Sequence, residues 1–185
     1  MRHYLIAPAL ALASAAALIA APASATLEQG AKAPDFTAKG AMAGKPMTVH
    51  LAQALKKGPV VLYFFPAAFT SGCNAEAAAF AQSIAKFKAA GATVIGMTAG
   101  NTDRLIEFSA KHCSGKFPVA AASPQIVKEY DVALKSANSD LTGYTDRTSY
   151  VIGQDGRIVY SYSSMQPAAH IANTLKAVQA LAHKR

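Results

Sequence analysis

Cysteine is scarce in this chain: there are two, Cys73 and Cys113, and neither belongs to a Cys-x-x-Cys pair. His112-Cys113 is the one His/Cys neighbour pair, adjacent helical residues point apart, and no second pair has ligand spacing, so a metal centre is not expected. Charge is sparse too, at 15% of residues. Basic side chains outnumber acidic ones 18 to 10, yet Lys56-Lys57 and Lys184-Arg185 are the only adjacent basic pairs. No basic cluster is interleaved with stacking aromatics, which argues against a nucleic-acid partner and for a solvated basic surface. Internal repeats and any sign of a second domain are also missing.

The N-terminus carries Met1-Arg2-His3, an Ala/Leu/Ile-rich run from Tyr4 to Ala20, and Ala23-Ser24-Ala25. These are the charged, apolar and small-residue parts of a secretory signal peptide, with cleavage expected after Ala25. Pro8 interrupts the run, so a retained membrane span is the poorer reading, and no nearby cysteine suggests a lipid anchor. Residues 26–185 are then expected to form a single exported domain, periplasmic or secreted. Export implies an oxidising compartment in which a disulfide persists. A bridge from Cys73 to Cys113 would close a loop of 40 residues, worth roughly 3–4 kcal/mol in the chain-entropy picture.

The most informative stretch runs from Val60 to Glu76. Val60 to Phe65 is a continuous apolar and aromatic run, the pattern of a strand buried on both faces, and Pro66 ends it. Ser71 is a plausible N-cap, after which Cys73, Ala77, Phe80, Ile84 and Phe87 recur at helical spacing until Gly91. Cys73 therefore sits in a first helical turn, where unpaired N–H groups and the positive end of the helix dipole favour a thiolate.

Around this stretch, Ala33–Thr37 and Met47–Leu51 read as a hairpin ahead of the core, and Ala52–Lys57 as a short helix ended by Gly58-Pro59. Thr93–Thr98 completes a β-α-β unit whose two strands should be parallel. A helix capped by Asn101 or Thr102 buries Leu105, Ile106 and Phe108 and ends near Cys113. Phe117–Ala121 is a short strand, Pro124–Asp131 a short helix, and the polar Lys135–Asp146 a mobile loop. Thr148–Ile152 and Arg157–Tyr162 flank an Asp155-Gly156 turn, and a final helix starts near Pro167. The expected class is α/β, with a mixed central sheet flanked by helices and an N-terminal hairpin extension. That order is how thioredoxin-like folds are laid out.

Pro66-x-x-x-Thr70-x-x-Cys73 at the strand-loop-helix junction resembles the signature of the peroxiredoxins, the AhpC/TSA superfamily. Phe65-Pro66 before the motif and Glu76 three residues after Cys73 are most similar to the bacterioferritin-comigratory, or peroxiredoxin Q, branch. Val127-Lys128-Glu129-Tyr130-Asp131-Val132 and Arg147-Thr148-Ser149-Tyr150-Val151-Ile152 look like later segments of that branch. The resemblance spans nearly all of the chain after Ala25.

What it implies agrees with the residue chemistry. Cleaving an O–O bond requires a thiolate, a donor that holds the peroxide in line and positive charge for the leaving oxygen. The resemblance makes Cys73 the peroxidatic residue, Thr70 the hydroxyl that bonds sulfur and peroxide, Arg147 the guanidinium, and Glu76 the carboxylate that orients it. Pro66 shapes the loop. Taken singly, Pro66 and Thr70 are equally well a strand end and a loop residue, and Arg147 a surface arginine. A sulfenic acid on Cys73 would condense with another thiol. The branch's common resolving position is Ala78 here, so the variant with the resolving cysteine in the following helix is the one that fits, and it assigns Cys113. His112, exposed beside it, could assist its ionisation. The partners implied are a peroxide, hydrogen peroxide or an organic hydroperoxide, and an external dithiol such as a thioredoxin-like protein. No cofactor is implied, and the branch is often monomeric. Phe65, Ala67, Ala68 and Phe69 leave room for an apolar rim. Two other readings stay open: a thioredoxin-like thiol-disulfide oxidoreductase, which the Glu at position 76 disfavours, and a non-enzymatic domain stapled by Cys73–Cys113.

Overall fold

The computed structural model describes residues 26–183, and the expected signal segment lies outside the described residues. Strands β1 (Thr37–Met42) and β2 (Lys45–His50) form the N-terminal hairpin. Their turn is tighter than a hairpin of Ala33–Thr37 and Met47–Leu51 would have. Ala43 and Gly44 both take positive φ, 52° and 75°, the backbone that suits a two-residue hairpin turn. The strands therefore run on through Met42 and Lys45, and the hairpin lies further along the chain than Ala33–Thr37. Helix α1 (Leu51–Leu55) starts one residue earlier than expected.

Strand β3 (Val60–Phe64) is buried at every residue, as its unbroken apolar run requires. Val61 and Tyr63 pack on one face of the sheet, and Val60, Leu62 and Phe64 on the other, following the two-residue period of a strand. Helix α2 (Ser71–Ala89) lays Cys73, Ala77, Phe80, Ile84 and Phe87 against the first of these faces. Its N-cap is Thr70 rather than Ser71, and the Thr70 side chain makes no capping bond.

Strand β4 (Thr93–Thr98) pairs parallel with β3, as the crossover predicts. A 3-10 turn at Thr102–Arg104 precedes helix α3 (Leu105–Lys111). Leu105, Phe108 and Ser109 form the buried i, i+3, i+4 stripe, and Ile106, about 100° round the helix from Leu105, is 46% exposed, against expectation. Then follow β5 (Val119–Ala121), shorter than Phe117–Ala121, and α4 (Pro124–Glu129), whose Ser123 cap accepts from the Ile126 N–H.

The expected loop from Lys135 to Asp146 contains a second small sheet. Strand β6 (Ala133–Lys135) pairs antiparallel with β7 (Leu141–Thr145). The ribbon is solvent-facing and is tied by polar contacts, among them Thr142 Oγ1 donating to the Leu134 carbonyl at 2.9 Å. With so little apolar burial it carries no alternating pattern to read. Strands β8 (Thr148–Ile152) and β9 (Ile158–Ser163) and helix α5 (Ala168–Ala182) complete the chain.

The main sheet has seven strands in the order β2-β1-β5-β4-β3-β8-β9. β8 runs antiparallel to β3, so the sheet is mixed. Helices α2, α3 and α5 cover the face that holds Tyr63, Phe80, Phe108 and both cysteines. The other face packs Phe64, Tyr130 and Tyr150 with residues of α1 and α4. This is the thioredoxin-like arrangement expected, with β3 in the interior of the sheet between β4 and β8 and its C-terminal end leading to Cys73.

Candidate active site

Pro66 supplies no N–H, so the loop after β3 must be held largely through its carbonyls. Four consecutive carbonyls are held by side chains. Thr145 Oγ1 donates to Phe65 O at 2.6 Å, Thr98 Oγ1 to Pro66 O at 3.0 Å, Thr70 Oγ1 to Ala67 O at 3.2 Å, and Asn101 Nδ2 to Ala68 O at 2.7 Å. Gly100 closes against the same loop: a Cβ there would lie 2.6 Å from Ala67 Cβ. The loop ends in Phe69 with φ at 65°, a left-handed backbone costing on the order of 1–3 kcal/mol for a bulky residue. The Phe69 ring is clamped by the Arg104 guanidinium, 3.7 Å from its centroid, and by Phe108 and His112.

The loop delivers Cys73 to the first turn of α2, where it is 1% exposed. Asn74 is the first residue whose N–H reaches back into the helix start, bonding Thr70 O at 2.9 Å. The N–H groups of the residues before it lie in the turn around the thiol, with no intrahelical acceptor. Arg147, immediately before β8, brings Nη2 to 3.5 Å from Cys73 Sγ and Nη1 onto Glu76 Oε2. Gly72 lies beside this approach: a Cβ there would only just touch Arg147 Nη2, at 3.4 Å. Arg147 Nε donates to the Met165 carbonyl at 3.0 Å, so the guanidinium is held on three sides.

Burial works against the Arg147 charge, but Glu76 and Cys73 outweigh it and hold the guanidinium above its ordinary range. Glu76, with no exposed surface, is pushed up to about 8 by burial, which the charge and hydrogen bond of Arg147 only partly oppose. Behind Glu76 stands His170, which the sequence alone does not single out because no motif surrounds it. Its Nδ1 lies 4.0 Å from Glu76 Oε1 and 2.8 Å from Ser149 Oγ. Burial lowers the His170 pKa, the Ser164 carbonyl partly opposes this, and the charge of Arg147 adds to the lowering.

The structure thus brings Cys73, Arg147 and Glu76 together, with Pro66 and Thr70 shaping the loop above them. Thr70 departs from expectation: its hydroxyl bonds the Ala67 carbonyl, not the sulfur. Cys113, also free, lies past the end of α3 in the same core cluster, and burial pushes its thiol far up. His112 is half-buried between Phe69 and Phe108 rather than exposed. Its pKa is lowered, first by burial, so it is poorly placed to carry charge beside Cys113. The apolar rim shrinks to Phe69, because Phe65, Ala67 and Ala68 are buried. Tyr63, in the same cluster as both cysteines, keeps a buried hydroxyl without a hydrogen-bond partner among the described residues.

A model of the AhpC/TSA family matches residues 29–161. The chain belongs to the AhpC/TSA family, the peroxiredoxins. It is similar to chloroplastic peroxiredoxin Q of Triticum aestivum, at 38% identity over 189 residues that cover 97% of this chain and 82% of the wheat protein. Chloroplastic peroxiredoxin Q of Arabidopsis thaliana is 37% identical over 161 residues, covering 84% of this chain and 69% of that protein. Among solved structures, the peroxidoxin BcpB of Mycobacterium tuberculosis superposes with a TM-score of 0.73 at 25% identity, over 84% of this chain and 98% of its own. Family membership supports thiol-dependent peroxidase activity and an enzyme of the peroxiredoxin type, and removes the non-enzymatic scaffold reading. The same relatives correct the expected location. The matched peroxiredoxin Q proteins are chloroplastic, which points to a plastid rather than to the periplasm or the outside of the cell. The argument for a standing disulfide from an oxidising export compartment falls with it.

Proposed function

We propose that this peroxiredoxin reduces hydrogen peroxide or organic hydroperoxides through Cys73, with Cys113 as the resolving residue. The Cys73 thiolate attacks the peroxide: RS⁻ + ROOH + H⁺ gives RSOH + ROH. The sulfenic acid then condenses with the Cys113 thiol, forming the Cys73–Cys113 disulfide and releasing water. An external dithiol, a thioredoxin-like protein or a small thiol, reduces the bridge.

The observation that carries this reading is the Arg147 guanidinium donating to Cys73 Sγ at 3.5 Å in the first turn of α2. A fixed cation and free N–H groups favour the thiolate before attack and the departing oxygen after it. Glu76 orients the arginine, Pro66 shapes the loop, and the Thr70 hydroxyl turns from the Ala67 carbonyl to the incoming peroxide. Cys73 begins one helix and Cys113 follows the end of another, both buried, so disulfide formation requires local opening of α3 or of the first turn of α2. The working unit in this reading is one domain from residue 26 to 185, a monomer without a membrane anchor or cofactor.

Peroxide consumption with dithiothreitol as reductant tests the assignment. Cys73→Ser should lose turnover, and turnover at the wild-type rate would remove Cys73 from the mechanism. Cys113→Ser should keep the first turnover and accumulate sulfenic acid. A peptide map without a Cys73–Cys113 bridge after one equivalent of peroxide would refute the intramolecular scheme.

A further inference from the structure

Ser109, in the last turn of α3 and without exposed surface, ties that helix to the N-terminal hairpin. Its Oγ accepts from the Gly44 N–H at 3.0 Å and donates to the Ile106 carbonyl at 2.8 Å. Its own carbonyl accepts from the Gly115 N–H at 3.0 Å. One residue therefore joins the turn between β1 and β2 to the chain on both sides of Cys113. The hairpin turn also meets that segment directly, since a Cβ on Gly115 would lie 3.0 Å from Ala43 Cβ. Just beyond, the chain is fixed again: the Lys116 N–H bonds the Cys113 carbonyl at 3.0 Å, and the Lys116 ammonium donates to the Ala81 carbonyl of α2 at 3.1 Å.

Between these two anchors the backbone is weakly held. The His112 and Cys113 N–H groups share one acceptor, the Phe108 carbonyl, at 2.9 and 3.3 Å. Ser114 then takes φ at 50° and Gly115 at 64°, and a left-handed backbone at a residue with a side chain holds strain that unwinding releases. Phe69, before Cys73, is left-handed too, but its ring is clamped by Arg104, Phe108 and His112, and its loop is held by four side-chain donors. Of the two cysteine segments, the end of α3 opens at the lower cost. Opening also brings the Cys113 thiol to water and ends the burial that suppresses its ionisation.

We propose that Ser109 is a positioning residue for the resolving step: with the hairpin turn it latches the Cys113 segment shut, and release of that latch delivers Cys113 to the oxidised Cys73. This rests on Cys113 being the resolving cysteine. The step it controls is Cys73–SOH + HS–Cys113 → Cys73–S–S–Cys113 + H₂O. A sulfur–sulfur bond replaces the sulfur–oxygen bond, and the thiol proton leaves with the hydroxyl as water. While the latch is closed, the sulfenic acid persists and stays open to a second peroxide.

Reduced protein mixed with one equivalent of hydrogen peroxide tests this, with the sulfenic acid trapped by dimedone and the Cys73–Cys113 bridge followed by peptide mapping. Ser109→Ala removes the acceptor of the Gly44 N–H. It should form the bridge about fivefold faster than the wild type, as the loss of one hydrogen bond predicts, while the sulfenic acid appears at the wild-type rate. Amide hydrogen exchange at Cys113 and Gly115 should rise by the same factor. If the wild type forms no bridge, the assignment of Cys113 itself fails. If the wild type forms it, and Ser109→Ala exchanges faster without bridging faster, the latch does not control the step. A lower melting temperature with unchanged exchange and bridging would make Ser109 structural and overturn the proposal. Should the variant not fold, exchange in the wild type decides alone: the Gly44 and Gly115 amides should share one degree of protection, and independent protection would refute the latch.

Discussion

Replacing Arg147 by glutamine removes the guanidinium that contacts Cys73 and should slow the thiol at neutral and acid pH. At the observed 3.5 Å, a full charge on each partner in a surrounding of effective dielectric about 20 would interact by about 4–5 kcal/mol. Glu76 shares the same guanidinium and offsets part of this. About half, on the order of 2 kcal/mol, remains for negative charge on the sulfur as it attacks. Alkylation by iodoacetamide at pH 6 should therefore fall by about 30-fold. Glu76 does not become a bare buried charge in this variant, because without Arg147 burial drives it further toward the neutral acid. Arg147→Lys is the control. It keeps a charge but loses the fork that reaches Cys73, Glu76 and Met165 together, so it should recover only part of the rate. An Arg147→Gln rate that matches the wild type would show that the helix start alone sets the reactivity of Cys73.

Glu76 also makes stability depend on pH. Its folded pKa lies above the unfolded value, so its contribution is present in acid and is lost as pH rises through about 8. Urea melts of Glu76→Gln should lack the decline that the wild type shows between pH 5 and 8, and parallel declines would refute this. Thr145→Val leaves the buried Phe65 carbonyl without its 2.6 Å donor and should cost about 1–3 kcal/mol in the same melts, with a slower peroxide reaction because the loop before Cys73 loosens. Gly100→Ala places a methyl group 2.6 Å from Ala67 Cβ and should destabilise by about 1–3 kcal/mol; a neutral result would mean the loop yields freely.

Much of the architecture was legible because burial leaves a pattern. Val60 to Phe64 is apolar throughout and is buried throughout; Cys73, Ala77, Phe80, Ile84 and Phe87 recur at helical spacing and line one face of α2. The ribbon of β6 and β7 leaves no pattern because its side chains face water, and Ile106 is exposed because the narrow buried stripe of α3 runs through Leu105, Phe108 and Ser109. Asn101 holds the cap position of the 3-10 turn before α3, as expected, and its left-handed backbone and bond to the Ala68 carbonyl also make it a strut of the loop, which only the tertiary structure shows.

Local order in the chain determined where Cys73 would stand: a strand, a proline and a helix start follow one another within a few residues, and short-range stereochemistry is enough to place a thiol among free N–H groups. Its surroundings were decided by tertiary structure. Arg147 is 74 residues away from it, Glu76 and Arg147 are 71 apart, and His170 comes from the last helix. These groups meet because β8 pairs with β3 and α5 packs on α2. No periodicity within α5 marks His170 as anything but a core position, since a buried polar side chain is identified by the partners it finds, and those lie on other elements.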